Sequence, residues 1–418
     1  MNELRVNRDR LWDSIVETSK FGATPAGGMN RLTLSDEDRM ARDWFVAACK
    51  AVGCSVTVDD VGNIFARRPG TGNSRPPIAM GSHLDTQPMG GRFDGIAGVL
   101  CGLEVLRTLH AAGHTTTSPL EVIDWTNEEG SRFAPTMIAS GVFAGIYTSE
   151  FAHSVEDRDG KTFGGELKRI GYLGEVPAGN HPLAAYFELH IEQGPILYGE
   201  GTAIGVVTGA QGQLWYEISV TGRAGHAGST PMNVRSDAML ACARITEAVN
   251  AIAKAHGPAG VGTVGLIELK PNSRNVIPGE AFFTVDMRHP DEGSLRSMGA
   301  ELDAAVGRVS AETDTSIELR NVLDLPPMQF DAGCVSVVRE TAGSLGYSHR
   351  DLVSGPGHDA VYVARVAPAA MVFVPCERGV SHNEAEYATP EDIEAGANVL
   401  LHAVLEMDKR LNGGGSDV

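Results

Sequence analysis

Five residues scattered along the chain are of the types that bind a pair of divalent cations: His83, Asp94, Glu129, His190 and His382. A binuclear site needs about three protein ligands per ion, one carboxylate shared between the ions, and an open position for water. A further carboxylate, Glu128, immediately precedes one of the five. Adjacent acids after an apolar strand repel each other unless a cation or a proton compensates. One of the two can hold metal while the other accepts a proton. A divalent ion lowers the pKa of a water toward about 7, and a nearby carboxylate takes the proton released. Hydrolysis of an amide needs that division of labour. Residues two apart on a strand point the same way, so Asp85 is expected to take the proton on the second ring nitrogen of His83.

Each residue alone also has a plain reading. His83 could be a satisfied core histidine, Asp94 a helix N-cap, Glu128-Glu129 a solvated loop pair, and His382 an exposed loop histidine among 13 in the chain. What favours a shared site is the placement of the elements. Pro77 to Met80 leads as an apolar run into His83, Leu120 to Trp125 runs into Asn127-Glu128-Glu129, and Tyr186 to Ile191 carries His190. Open α/β sheets bind ligands beyond the carboxyl ends of their strands, where three of the five candidates fall. After Asp94, Ile96, Val99, Leu100, Leu103, Leu106 and Leu109 recur at helical spacing until Gly113.

The rhythm changes after Gly209-Ala210-Gln211-Gly212. Strand patterns at 213–220, 261–269, 281–287 and 316–322 alternate with helical ones at 232–255 and 295–309. This β-α-β-β-α-β order predicts a ferredoxin-like insertion at 212–330, within an α/β domain formed by 1–211 and 331–418. A final helix is expected from Pro390 to Leu411, followed by a disordered tail, Asn412 to Ser416. At 418 residues two domains are the default. With 34 Lys plus Arg against 53 Asp plus Glu, the net charge of −19 argues against nucleic-acid and anionic-membrane partners. No signal peptide or membrane-spanning run is visible. Six cysteines without a CxxC pair read as buried thiols of a cytoplasmic protein.

The segments GSHLDTQPMGGRFDG (81–95), NEEGSRF (127–133), LHIEQGP (189–195), GRAGHAGSTPM (222–232), SGPGHDA (354–360) and GVSHNEAE (379–386) resemble the dinuclear metallo-amidohydrolases of the M20 peptidase clan. The likeness runs from about Arg10 to Leu411. It is closer to the hydantoinase/carbamoylase branch of N-carbamoyl-L-amino acid hydrolases, β-ureidopropionases and allantoate amidohydrolases, because peptidase members typically carry a carboxylate where His190 stands. The resemblance implies an α/β metallohydrolase domain with an inserted lid and dimerisation domain, and hence a homodimer. It implies that His83 and His190 bind one ion and Glu129 and His382 the other, with Asp94 bridging and Glu128 as general base. Two zinc ions are expected, with manganese, cobalt or nickel as alternatives. Arg288 and Asn275 match contacts to a substrate carboxylate. His226 matches a residue that reaches the neighbouring subunit's site, and Gln193, Gly357 and His358 match positions around a carbamoyl group. The implied substrate is an N-carbamoyl-L-amino acid or N-carbamoyl-β-alanine. Allantoate is the rival, and a dipeptidase or aminoacylase activity is less favoured. Relatives often have proline near Asn383 or Glu384, and this chain does not.

Overall fold

In the computed structural model, which describes residues 4–413, the chain divides into two compact units. One comprises the chain up to Gly209 and from Phe330 onward; the other is the uninterrupted stretch from Ala210 to Gln329.

The first unit is built on a mixed sheet. Its strands lie in the spatial order Ser55–Val58, Ile64–Arg68, Leu120–Trp125, Ile78–His83, Ala185–Ile191, Ala369–Val374 and Ile204–Ala210. The four from Leu120–Trp125 to Ala369–Val374 are parallel neighbours, and the flanking strands pair antiparallel. Every residue of those four strands is buried, as expected where helices cover both faces of a parallel sheet. The strand Ile78–His83 is flanked by Leu120–Trp125 on one side and by Ala185–Ile191 on the other. That reversal of direction opens a crevice at the carboxyl end of Ile78–His83.

The helix Ile96–Ala111 packs on this strand and beside the last helix, Pro390–Gly413. The last helix thus extends two residues beyond the expected Leu411, so Asn412 and Gly413 are helical. The remainder of the expected tail, residues 414–416, lies outside the described residues. All six cysteines are free and buried. No helix among the described residues is long and apolar enough to cross a membrane.

The second unit is a four-stranded antiparallel sheet in the order Ser316–Leu325, Gly212–Thr221, Glu280–His289, Val261–Lys270. Numbered along the chain, this is the 4-1-3-2 order of a ferredoxin-like fold, with helices Ala238–Ala255 and Glu292–Thr313 as crossovers. Leu214, Tyr216, Ile218 and Val220 alternate inward and meet Phe283, Val285 and Met287 with the apolar faces of both helices. The helix expected from Met232 begins only at Ala238, because Asp237 caps it by accepting from the Met239 and Leu240 N–H groups. Met232–Val234 forms a separate short 3-10 turn before the cap.

Candidate metal centre

The crevice of the first unit gathers all five proposed ligands, in two overlapping sets: His83, Asp94 and His190, and Asp94, Glu129 and His382. Within each set the candidate ligand atoms lie within 4.8 Å of one another. Asp94 belongs to both, one oxygen facing each way. Its Oδ1 lies 3.1 Å from His190 Nε2 and 3.8 Å from His83 Nε2. Its Oδ2 lies 3.3 Å from His382 Nε2, which is itself 3.6 Å from Glu129 Oε2. Glu128 Oε2 stands 3.5 Å from His83 Nε2.

Local structure explains how Asp94 becomes available. The residue before the helix Ile96–Ala111 is Gly95, at φ +66°, so Asp94 is not the N-cap and its carboxylate projects into the crevice. A Cβ at position 95 would stand 2.2 Å from His83 Nε2, so no other residue fits there without displacing the ring.

Both buried histidines present Nε2 because Nδ1 is engaged by a backbone carbonyl. His83 Nδ1 is 2.9 Å from the Asp85 carbonyl oxygen, and His190 Nδ1 is 2.9 Å from that of Ile191. This corrects one expectation. The Asp85 carboxylate does not orient His83, from whose Nδ1 it stands 3.7 Å away. The shorter contact belongs to its main chain, because the turn after His83 folds that carbonyl back under the ring. The carboxylate instead accepts the Glu128 and Glu129 N–H groups at 3.3 and 3.4 Å, fixing the loop that carries both acids. Gln87 in turn holds Glu129, through its main-chain N–H at 3.0 Å and its side-chain amide at 2.7 Å.

The donor set suits cations. Burial pushes the Glu128 and Glu129 carboxyls well above the ordinary carboxylate range, and facing carboxylates add to the effect, with Asp359 foremost for Glu128 and Asp94 for Glu129. Burial likewise pushes the His83 imidazole down to about 4, leaving it neutral and able to ligate. Three imidazoles and three acids converge here. Divalent cations would supply the missing positive charge.

The remaining candidates separate by unit. Gln193, at φ +54°, donates from Nε2 to Asp94 Oδ2 at 2.9 Å and to Ser381 Oγ at 3.1 Å. The His358 ring is buried 4.4 Å from that of His190, and Gly357 precedes it in the same loop. His226, Asn275 and Arg288 all belong to the second unit. His226 is exposed on a two-residue pairing with Val276–Ile277, its Nδ1 accepting from the Gly228 and Ser229 N–H groups. Asn275, also exposed, accepts the Ala227 N–H through its carbonyl, so it neighbours His226. Arg288 is half-buried and hydrogen-bonds the carboxylate of Asp286, two residues earlier on its strand.

The sequence reading missed Gln87, Ser381 and Glu386. Ser381 and Glu386 pair with each other five residues apart, but the contacts that tie the three to Glu129 and to the Asp94 turn span 42 to 293 residues, beyond the reach of spacing rules. A signal did exist for Glu386, an acid four residues after His382 in the same segment.

The mixed α/β sheet thus carries two overlapping groups of candidate metal ligands at its switch point. The sequence profile of peptidase family M20/M25/M40 matches residues 79–406. The chain is 51% identical over 402 residues to an N-carbamoyl-L-amino-acid amidohydrolase of Rhizobium meliloti, covering 96% of this chain and 97% of that one. It is 34% identical to a ureidoglycolate hydrolase of Oryza sativa, over 96% and 85% of the two chains. An amidase of the hydantoinase/carbamoylase family from Burkholderia multivorans superposes with a TM-score of 0.92 at 57% identity, covering 97% and 98%. The chain belongs to the M20 family, on its hydantoinase/carbamoylase branch, and is an enzyme acting on amide bonds.

Proposed function

We propose that the chain hydrolyses the carbamoyl C–N bond of an N-carbamoyl-L-amino acid or of N-carbamoyl-β-alanine. The observation that carries this reading is the 51% identity, over nearly the whole of both chains, to an amidohydrolase named for that substrate class. Asp94 Oδ1 with His83 and His190 would hold one divalent ion, and Asp94 Oδ2 with Glu129 and His382 a second. Such ions, zinc in this reading with manganese, cobalt or nickel as alternatives, supply Lewis acidity and acidify water toward a pKa of about 7. Glu128 takes the proton from the attacking water and returns it to the nitrogen that leaves. The C–N bond breaks to give the amino acid and carbamate, which decomposes to carbon dioxide and ammonia.

Arg288 and Asn275 are assigned the substrate carboxylate, for which a planar guanidinium is suited. His226 is assigned the carbonyl of a substrate held by a second copy of the chain, in a homodimer. Gln193, Gly357 and His358 are assigned the carbamoyl group. These assignments rest on the family resemblance. The rice relative named ureidoglycolate hydrolase supports a second reading, in which the substrate is a ureido acid such as allantoate.

Ammonia release by metal-reconstituted protein distinguishes the two. The panel is N-carbamoyl-β-alanine, several N-carbamoyl-L-α-amino acids, allantoate, ureidoglycolate and dipeptides. Turnover of the carbamoyl amino acids is expected. Turnover confined to allantoate or ureidoglycolate would replace the first reading with the second.

A further inference from the structure

Four residues after His382, Glu386 is buried at 4% exposure and lies against the turn that carries Asp94. Its Oε1 accepts two main-chain N–H groups, those of Phe93 and of Asp94 itself, each at 3.0 Å. Its Oε2 accepts the Ser381 hydroxyl at 2.8 Å. Ser381 Oγ is also 3.3 Å from Asp94 Oδ2 and receives the Gln193 amide at 3.1 Å. The result is a closed ring of polar contacts running Glu386, Ser381, Asp94 side chain, Asp94 main chain and back to Glu386, in which the single Ser381 proton serves one carboxylate at a time and Gln193 braces the ring.

The sequence makes room for this contact at one place. A Cβ on Gly91 would stand 2.0 Å from Glu386 Oε1, so the carboxyl fills the space that any other residue at 91 would take. Neither chain neighbourhood can form the ring alone, because Glu386 and Asp94 are 292 residues apart.

We propose that Glu386 is a positioning residue: acting through Asp94 and Ser381, it sets the aim of both Asp94 oxygens and locks the His382 loop to the Asp94 turn. The inference rests on the ion assignment of the proposed function and extends it. Asp94 is the one side chain common to both ligand sets, so a fault in its orientation weakens both sites together. A fault at Glu129 or His190 would weaken one.

The test is a titration of chelator-treated full-length protein with cobalt chloride, read by calorimetry and by the visible absorption of the ion, alongside thermal unfolding of the metal-free protein. For Glu386→Ala, both cobalt affinities are expected to fall about 10- to 100-fold, the usual effect of losing a partner that orients a ligand. Glu386→Gln is expected to stay close to wild type. Its amide oxygen still accepts from the Phe93 and Asp94 N–H groups, and its NH2 donates to Ser381 Oγ, whose own hydroxyl then turns to Asp94 Oδ2. Ser381→Ala, which leaves the main-chain bonds intact, is expected to lie between the two and keeps the question open to test should Glu386→Ala fail to fold. Wild-type cobalt affinities in both Glu386→Ala and Ser381→Ala would overturn the inference, as would a Glu386→Gln variant as impaired as the alanine. No cobalt binding by the wild-type protein would overturn the two-ion reading along with it. Normal cobalt binding without carbamoyl hydrolysis would sink only the substrate assignment.

Discussion

The two units hold their candidate functional residues in opposite ways. In the first, His83, His190, Asp94, Glu128 and Glu129 are buried, and each is held by a named partner or packed against another member of the set. In the second, His226 and Asn275 are exposed, and Arg288 is engaged by Asp286, a neighbour on its own strand. Burial forces a polar group to find partners, because an unsatisfied one costs about 1–3 kcal/mol. Exposure imposes no such demand. The candidate residues of the first unit are therefore fixed by burial and by one another, whereas those of the second are exposed or paired with a neighbour on the same strand.

The largest expected effect follows from the buried side of that contrast. Glu128→Gln should lower kcat by roughly two to four orders of magnitude with metal content unchanged, the usual worth of general acid–base catalysis. Steady-state kinetics with metal analysis on one preparation checks this, and near-normal turnover would remove Glu128 from the general-base role.

Next comes the framework beneath the centre. Arg42 is fully buried, donates to Asp38 at 2.8 Å, stands 3.6 Å from Asp124, and donates to Thr126 Oγ1, just before Asn127-Glu128-Glu129. Arg42→Met strands two buried carboxylates without their cation. It should cost about 3–5 kcal/mol of stability, measured by denaturant unfolding of metal-free protein. A loss below about 1 kcal/mol would mean that this network is not what holds the Glu128 loop.

Effects in the second unit should be smaller and fall on binding. Arg288→Lys replaces a planar fork with a point charge and is expected to raise KM about 10- to 100-fold with a lesser change in kcat. A change confined to kcat would break the distinction between the units. The smallest effect is expected for Asp286→Asn, which keeps the side-chain shape but removes the charge opposite Arg288. KM should shift by no more than a few-fold, equivalent to about 1 kcal/mol or less for a solvent-accessible pair.

The sequence exposed the parts governed by local rules. Periodicity located the helix after Asp94, apolar runs located the strands whose ends carry His83, Glu129 and His190, and the β-α-β-β-α-β rhythm located the ferredoxin-like unit. Details governed by atoms rather than residue types were not legible. The HxD spacing suggested the Asp85 carboxylate as the partner of His83, where the Asp85 carbonyl stands instead. An N-cap role for Asp94 was a fair alternative until Gly95 proved to hold the positive φ. The Glu386 ring spans nearly 300 residues of chain, and no spacing argument reaches that far.

The strand Ala369–Val374 lies between Ala185–Ile191 and Ile204–Ala210, yet it is made last of the three. During synthesis at 5–20 residues per second, the apolar edge of Ala185–Ile191 waits for its parallel neighbour for on the order of 10–40 s. Meanwhile the ferredoxin-like stretch has emerged whole and can fold on the ribosome from local pairings. An uncovered parallel edge of that length invites association with other nascent chains. The interruption of the first unit by the second therefore sets a biogenesis problem: the chain's yield in a cell depends on how well that edge is sheltered until the C-terminal quarter arrives.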